Sequence, residues 1–106
     1  MLRIGINGFG RIGRAITRIL AQKPGFQLLA VNELDSDLKN FAYLLKYDSV
    51  YGRFPIPVEA DVESLILQIG EMQVAFYSHC SIQEVPWERH EIDVLIEATG
   101  VHADAL

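Results

Sequence analysis

Within its first 32 residues the chain switches from the hydrophobic period of a strand to that of a helix and back. Leu2-Arg-Ile-Gly-Ile6 is a short apolar run that stops at Asn7, and it reads as a strand. Between Arg11 and Gln22 the apolar residues fall at Ile12, Ala15, Ile16, Ile19 and Leu20, the spacing of one helix face. Pro24-Gly25 breaks that helix, and Lys23 lies where a cation complements a helix C-terminus. Phe26-Gln-Leu-Leu-Ala-Val-Asn32 is nearly continuous in apolar residues, as a buried strand of a parallel sheet should be. Strand, helix and strand together predict one βαβ unit with a right-handed crossover.

Further along, Asp35-Ser-Asp37 supplies N-cap candidates for a second helix carrying Leu38, Phe41, Ala42, Leu44 and Leu45 on one face. Tyr47 to Gly52 ends it with turn residues, and Gly52 suits a positive φ. Pro55 and Pro57 each remove a backbone donor, so Phe54 to Val58 is expected to cross the surface in extended form. Leu65–Ile69 and Met72–Tyr77, joined by Gly70-Glu71, predict an antiparallel hairpin inserted in the unit. A strand before it is expected to begin at Val62. Ser78 to Trp87 reads as loop or short helix broken at Pro86, and Ile92–Glu97 as the next core strand. The expected fold is α/β: a partial Rossmann sheet of three parallel core strands with helices, plus the inserted hairpin.

The first turn carries the chemistry. Gly8-Phe-Gly-Arg-Ile-Gly13 lies between a strand and a helix, the context that the dinucleotide-binding fingerprint requires. Gly8 permits the tight turn, Gly10 lets the backbone approach a pyrophosphate, and Gly13 lets helix and strand pack closely. The helix start then offers unpaired N–H groups and a positive dipole end to the phosphates. Glu33 follows the second strand, twenty positions after Gly13. A carboxylate there can bond both ribose hydroxyls and repel a 2′-phosphate, and no Lys or Arg appears before Lys39, which favours NAD over NADP. Ala98-Thr-Gly100 should face the same crevice, since ligands of open α/β sheets sit outside the carboxyl ends of the strands.

Composition narrows the partners. A chain of 106 residues, half of them hydrophobic, can bury the core of one small domain. The net charge of −5, with no long basic block, argues against nucleic acid or an anionic membrane as the main partner. One cysteine excludes an internal disulfide and fits a reducing compartment. Met1-Leu-Arg-Ile4 runs straight into the first strand, which leaves no room for a signal peptide, and no apolar run has the length of a membrane span. The expected location is the cytoplasm. Cys80 adjoins His79, but neighbouring side chains need not meet, and the thiol reads as inert. His79, His90 and His102 lack metal-ligand spacing.

Asn7-Gly-Phe-Gly-Arg-Ile-Gly-Arg14 resembles the opening of the glyceraldehyde-3-phosphate dehydrogenases. Leu45-Lys-Tyr-Asp-Ser49 with Gly52, then Pro86-Trp87, then Glu97-Ala-Thr-Gly100 recur in the family's order. The similarity covers essentially the whole chain but only the opening portion of a full-length member. Val31-Asn-Glu-Leu34 and Val85-Pro-Trp87 lean toward the erythrose-4-phosphate dehydrogenase branch. The resemblance implies NAD-dependent oxidation of a phosphorylated aldehyde through a covalent thiohemiacetal and acyl-enzyme. It implies Gly8, Gly10, Arg11, Ile12 and Gly13 around the pyrophosphate, Asn7 on the nicotinamide side, Glu33 on the adenosine ribose, and Thr99 and Gly100 along the crevice. His79-Cys80 stands where the family often has a Glu-Arg pair near the adenine, and His102 where it often has an aromatic residue.

The family's Ser-Cys-Thr-Thr-Asn segment, which holds its nucleophile, does not occur in this sequence. Residues 1–106 are therefore expected to be an incomplete dinucleotide-binding domain, the first mononucleotide half without the catalytic domain. Such a chain binds NAD and is inactive alone, with the phosphorylated aldehyde a partner of the full-length protein only. Two alternatives stand beside this. One is a self-sufficient nucleotide-binding module; the other is an interaction or structural remnant whose sheet edge pairs between chains, most simply as a homodimer.

Overall fold

Strand β1 (Leu2–Asn7) lies next to one edge of a six-stranded sheet and leads into helix α1 (Arg11–Ala21), then β2 (Phe26–Asn32) and helix α2 (Leu38–Lys46). Two-residue strands β3 (Tyr47–Asp48) and β4 (Gly52–Arg53) pair with each other apart from the sheet. β5 (Val58–Asp61), β6 (Ile66–Ile69) and β7 (Met72–Tyr77) form a meander. Two one-turn 3₁₀ helices, Ile82–Glu84 and Trp87–His90, then lead to β8 (Val94–Glu97). The computed structural model describes residues 1–48 and 52–99.

The sheet order is β5-β6-β7-β2-β1-β8. β7, β2, β1 and β8 run parallel, while β5 and β6 are antiparallel to their neighbours. This is the partial Rossmann arrangement, with one correction. The predicted hairpin is present, its turn made by Gly70 at φ +58°, but its second strand β7 also pairs with β2 in parallel. The sheet thus has four parallel strands rather than three, and the hairpin extends it instead of standing apart. The strand before the hairpin is Val58–Asp61, and Val62 lies in the turn that follows it. There Asp61 accepts the N–H groups of Glu63 and Ser64, an Asx turn that ends the strand.

Phe54 also departs from the expected surface crossing. It is buried, and the Arg18 guanidinium lies 5.1 Å from its ring centroid. The prolines on either side of Ile56 stay outside the strands, as their missing donors require.

Helix α1 reaches the sheet through a row that shares Leu20 and Ile16 with its apolar pattern but not Ile12 or Ile19. Ile12 and Ile19 are 60% and 54% exposed, while Gly13, Thr17, Arg18 and Leu20 are buried. The cause is close approach. A Cβ on Gly13 would lie 2.2 Å from the Gly8 carbonyl oxygen, so the helix rests on backbone, and a small row faces the sheet. Thr17 satisfies its buried hydroxyl by donating to the Gly13 carbonyl at 2.8 Å. Helix α2 is capped by Asp37, whose carboxylate accepts the Asn40 N–H at 3.2 Å. It delivers Phe41 to an aromatic cluster with Phe9 and Phe76, ring centroids 5.8–6.3 Å apart.

Candidate functional site

The chain leaves β1 in a turn that only glycine can make. Gly8 has φ +104°, and a Cβ there would meet the Thr99 nitrogen at 2.7 Å and the Ala98 carbonyl carbon at 2.8 Å. Backbone bonds fix this junction, Gly8 N–H to the Asn32 carbonyl and Ala98 N–H to the Asn7 carbonyl, both 2.7 Å. The ends of β1, β2 and β8 are thereby tied together. Gly10 differs. Its φ of −75° suits any residue, yet the position of its missing Cβ has nothing within 4 Å. Gly10 also caps α1, whose first turn has no side-chain cap and no acidic residue. The N–H groups and positive dipole end of α1 therefore open on free space, the arrangement that suits a phosphate.

Glu33 is placed beside this turn by its own backbone, which donates to the Tyr77 carbonyl at 2.8 Å. Its carboxylate accepts the Phe9 N–H at 2.9 Å through one oxygen and the Asp35 N–H at 3.1 Å through the other. An ionised carboxylate has about four acceptor positions, so two remain for hydroxyl groups of a ligand. At the other end of the same residue, Arg14 donates from Nη1 to the Phe9 carbonyl at 3.1 Å. The Arg14 Nε is buried without a partner. Burial lowers the pKa of this guanidinium from its ordinary value, with the opposing field of Asp48 next in size.

A chain of side-chain hydrogen bonds crosses the carboxyl ends of the parallel strands. Asn7 donates to Glu97 at 3.0 Å and accepts from Asn32 at 2.8 Å. Asn32 donates also to the His79 carbonyl and accepts the His79 N–H at 2.8 Å. Glu97 accepts both the backbone N–H and the hydroxyl of Thr99. Two buried asparagines are thus satisfied, as burial demands, and the strand ends are held in register.

Asn7, Gly8, Gly10, Arg11, Ile12, Glu33 and Thr99 line one cleft of about 710 Å³. Gly13 lies behind it, packed on Gly8, and Gly100 lies outside the described residues. Asn32, Leu34, Ser81 and Ile82 line the cleft too, without having been singled out from sequence. A polar residue closing an otherwise apolar strand was the available signal for Asn32. His79 and Cys80 join the lining from the loop after β7. Cys80 is exposed, and the His79 Nδ1 lies 3.8 Å from Glu84 rather than at a catalytic partner.

Comparison with known proteins agrees with this geometry. Residues 2–105 match the family described as glyceraldehyde 3-phosphate dehydrogenase, NAD binding domain. The glyceraldehyde-3-phosphate dehydrogenase of Thermotoga maritima is 43% identical over 103 residues, covering 95% of this chain and 30% of that protein. The cytosolic enzyme of Pisum sativum is 36% identical over 97% of the chain, and that of Chondrus crispus 39% identical over 93%. The chain spans about 30% of the length of these relatives. No helix among the described residues is long and apolar enough to cross a membrane. A glycine turn open to phosphate, an acid at the end of β2, and a match running from residue 2 to residue 105 place the chain in the glyceraldehyde-3-phosphate dehydrogenase family, as its NAD-binding domain.

Proposed function

We propose that NAD binds in the cleft at the carboxyl ends of β2, β1 and β8, and that the chain is the cofactor-binding part of a phosphorylated-aldehyde dehydrogenase. The observation that carries this is the open space at Gly10 beside an uncapped helix start. In this reading Gly8, Gly10, Arg11 and Ile12 cradle the pyrophosphate, and Gly13 behind them lets α1 pack close to the turn. Glu33 takes the adenosine ribose, Asn7 borders the nicotinamide, and Thr99 lines the crevice, a role the resemblance implies for Gly100 too. Bound there, NAD supplies a hydride acceptor. The side chains of the cleft bind and orient, and its one thiol, Cys80, lies outside any Ser-Cys-Thr-Thr-Asn segment, so this chain alone is expected to be inactive toward phosphorylated aldehydes. Glyceraldehyde-3-phosphate and erythrose-4-phosphate both belong to the substrate class. A single cysteine and the cytosolic names of two relatives support a cytoplasmic location.

Titration calorimetry tests the binding. The wild-type chain is expected to release heat with NAD, and Gly10→Ala to lose that heat with an unchanged melting temperature. A wild-type chain that binds nothing at millimolar NAD sinks the proposal. For the chemistry, NADH absorbance with a phosphorylated aldehyde should stay flat, and turnover abolished by Cys80→Ser would reverse that conclusion.

The same fold supports self-association. Among the described residues no strand pairs with the outer edge of β8, where Val94 and Leu95 are 39% and 38% exposed. An unpaired edge with apolar side chains favours pairing between chains, and a homodimer is the simplest closed form. Sedimentation across a concentration series should show the dimer; a monodisperse monomer at every concentration rules it out.

A further inference from the structure

The geometry points to Arg14 as a positioning residue that, together with Glu33, clamps the Phe9 peptide and presets the glycine turn for a diphosphate. The inference rests on the reading that the cleft binds NAD. A turn with glycine on both sides of one residue has much freedom to lose, since glycine loses more conformational entropy on ordering than any other residue. If the ligand had to order that turn, the cost would come out of its affinity.

Phe9, the residue between Gly8 and Gly10, is held at three points. Its ring is buried in the cluster with Phe41 and Phe76. Its N–H is held by the Glu33 carboxylate at 2.9 Å, and its carbonyl by the Arg14 guanidinium at 3.1 Å. The last two bonds grip opposite ends of the residue with opposite charges, so the turn cannot rotate without breaking one of them.

Arg14 is itself well placed to act. Its own N–H bonds the Gly10 carbonyl at 2.9 Å, which puts it one helical turn from the start of α1. It sits there at a cost, because its Nε is buried without a partner, and an unmade buried bond is unfavourable. Packing of the stem explains none of this, since any long apolar side chain could fill the same space without leaving a donor unpaired. Holding the Phe9 carbonyl does explain it.

Three forms of the chain test the clamp: wild type, Arg14→Met, which keeps the stem and removes the donors, and Arg14→Lys, which restores a single donor. Amide hydrogen exchange on the ligand-free chains reads the turn directly. Arg14→Met should speed exchange at Phe9 and Gly10 about tenfold relative to Ile4, Ile6 and Val31 in the sheet, with Arg14→Lys between the two. Titration then separates the ligand groups. Arg14→Met should weaken NAD and ADP about tenfold, equivalent to about 1.4 kcal/mol, and adenosine by less than about twofold. Unchanged exchange at Phe9, or an equal loss for adenosine and ADP, overturns the assignment. A wild-type chain that binds none of the three ligands refutes the cofactor reading instead, and exchange still decides whether Arg14 holds the turn.

Discussion

On one face of the sheet two helices lie over large side chains; on the other, two single turns of 3₁₀ helix lie over a row of small ones. The register places Ile6, Val31 and Phe76 side by side on the helix face, next to Phe9, Phe41 and Leu45 in the core. It places Gly5, Ala30 and Ala75 side by side on the opposite face. There the ring of Trp87 presses so close that a Cβ on Gly5 would stand 2.9 Å from it. One face is secured by volume and the other by the absence of volume. Both depend on close approach, but what gives way when a methyl group is added differs. On the helix face the obstacle is backbone, and on the Trp87 face it is the side chain of a short, partly exposed turn.

Gly13→Ala tests the helix face most severely. The new Cβ meets the Gly8 carbonyl oxygen at 2.2 Å, and neither partner is the end of a flexible side chain. Helix α1 must lift from β1, at a cost of about 3 kcal/mol or more. For a domain of this size that is a large share of the stability. Urea unfolding followed by circular dichroism should show the midpoint fall sharply; a change under about 0.5 kcal/mol would falsify the close-approach account.

Arg18→Met comes next. The buried guanidinium donates to the Leu45 carbonyl at the end of α2, complementing that helix terminus, and lies against the Phe54 ring. Removing it leaves a carbonyl short of a partner and should cost about 1.5–3 kcal/mol. The check is the same unfolding curve, in which Phe54→Leu made on the Arg18→Met background should cost less than it does alone, because the pair no longer exists.

On the other face, Gly5→Ala should cost only about 1–2 kcal/mol, since Trp87 can move. Its signature is optical. Trp87 holds its ring by donating from Nε1 to the Ile82 carbonyl at 2.9 Å, so displacement should shift its emission to the red. Unaltered emission with a large loss of stability would mean that the sheet itself, not the tryptophan, had yielded.

Much of this contrast is written locally in the sequence, and the parts that are not depend on distant pairing. Gly13 and Gly8 announce a close crossing because their spacing from a strand end and a helix start has one physical meaning. Asp37 marks a helix start, and Gly70 a tight turn, from chemistry within four residues. The parallel pairing of β7 with β2 has no such marker, since its partners lie about 45 residues apart and the hairpin signal describes only one of its two edges. The exposed Ile12 and Ile19 misled the apolar pattern for a related reason. A helix resting on backbone needs small residues where a pattern counts large ones. In the cleft, Glu33 was legible as a carboxylate at the end of β2, but its bond to the Phe9 N–H spans 24 residues and appears only in three dimensions.

The smallest expected effect lies on the Trp87 face, at His90, and it is one of pH. The His90 Nε2 is 2.7 Å from the Tyr77 hydroxyl, and its carbonyl accepts from Arg3 at 2.8 Å. Burial lowers the pKa of this imidazole below the ordinary 6.5, and the charges of Arg89 and Arg3 push it further down. The unfolded chain therefore takes up the proton first as the pH falls through 6.5, while the folded chain stays neutral at His90. More protons bound to the unfolded state means that stability declines with falling pH in that window and levels off once the folded state is protonated as well. His90 belongs to the same 3₁₀ turn as Trp87, so the sensitivity lies on that side of the sheet. His90→Gln should flatten the stability profile between about pH 5 and 7, while Gly13→Ala should lower it without changing its slope. Equal slopes for the wild-type and His90→Gln chains would assign the pH dependence elsewhere.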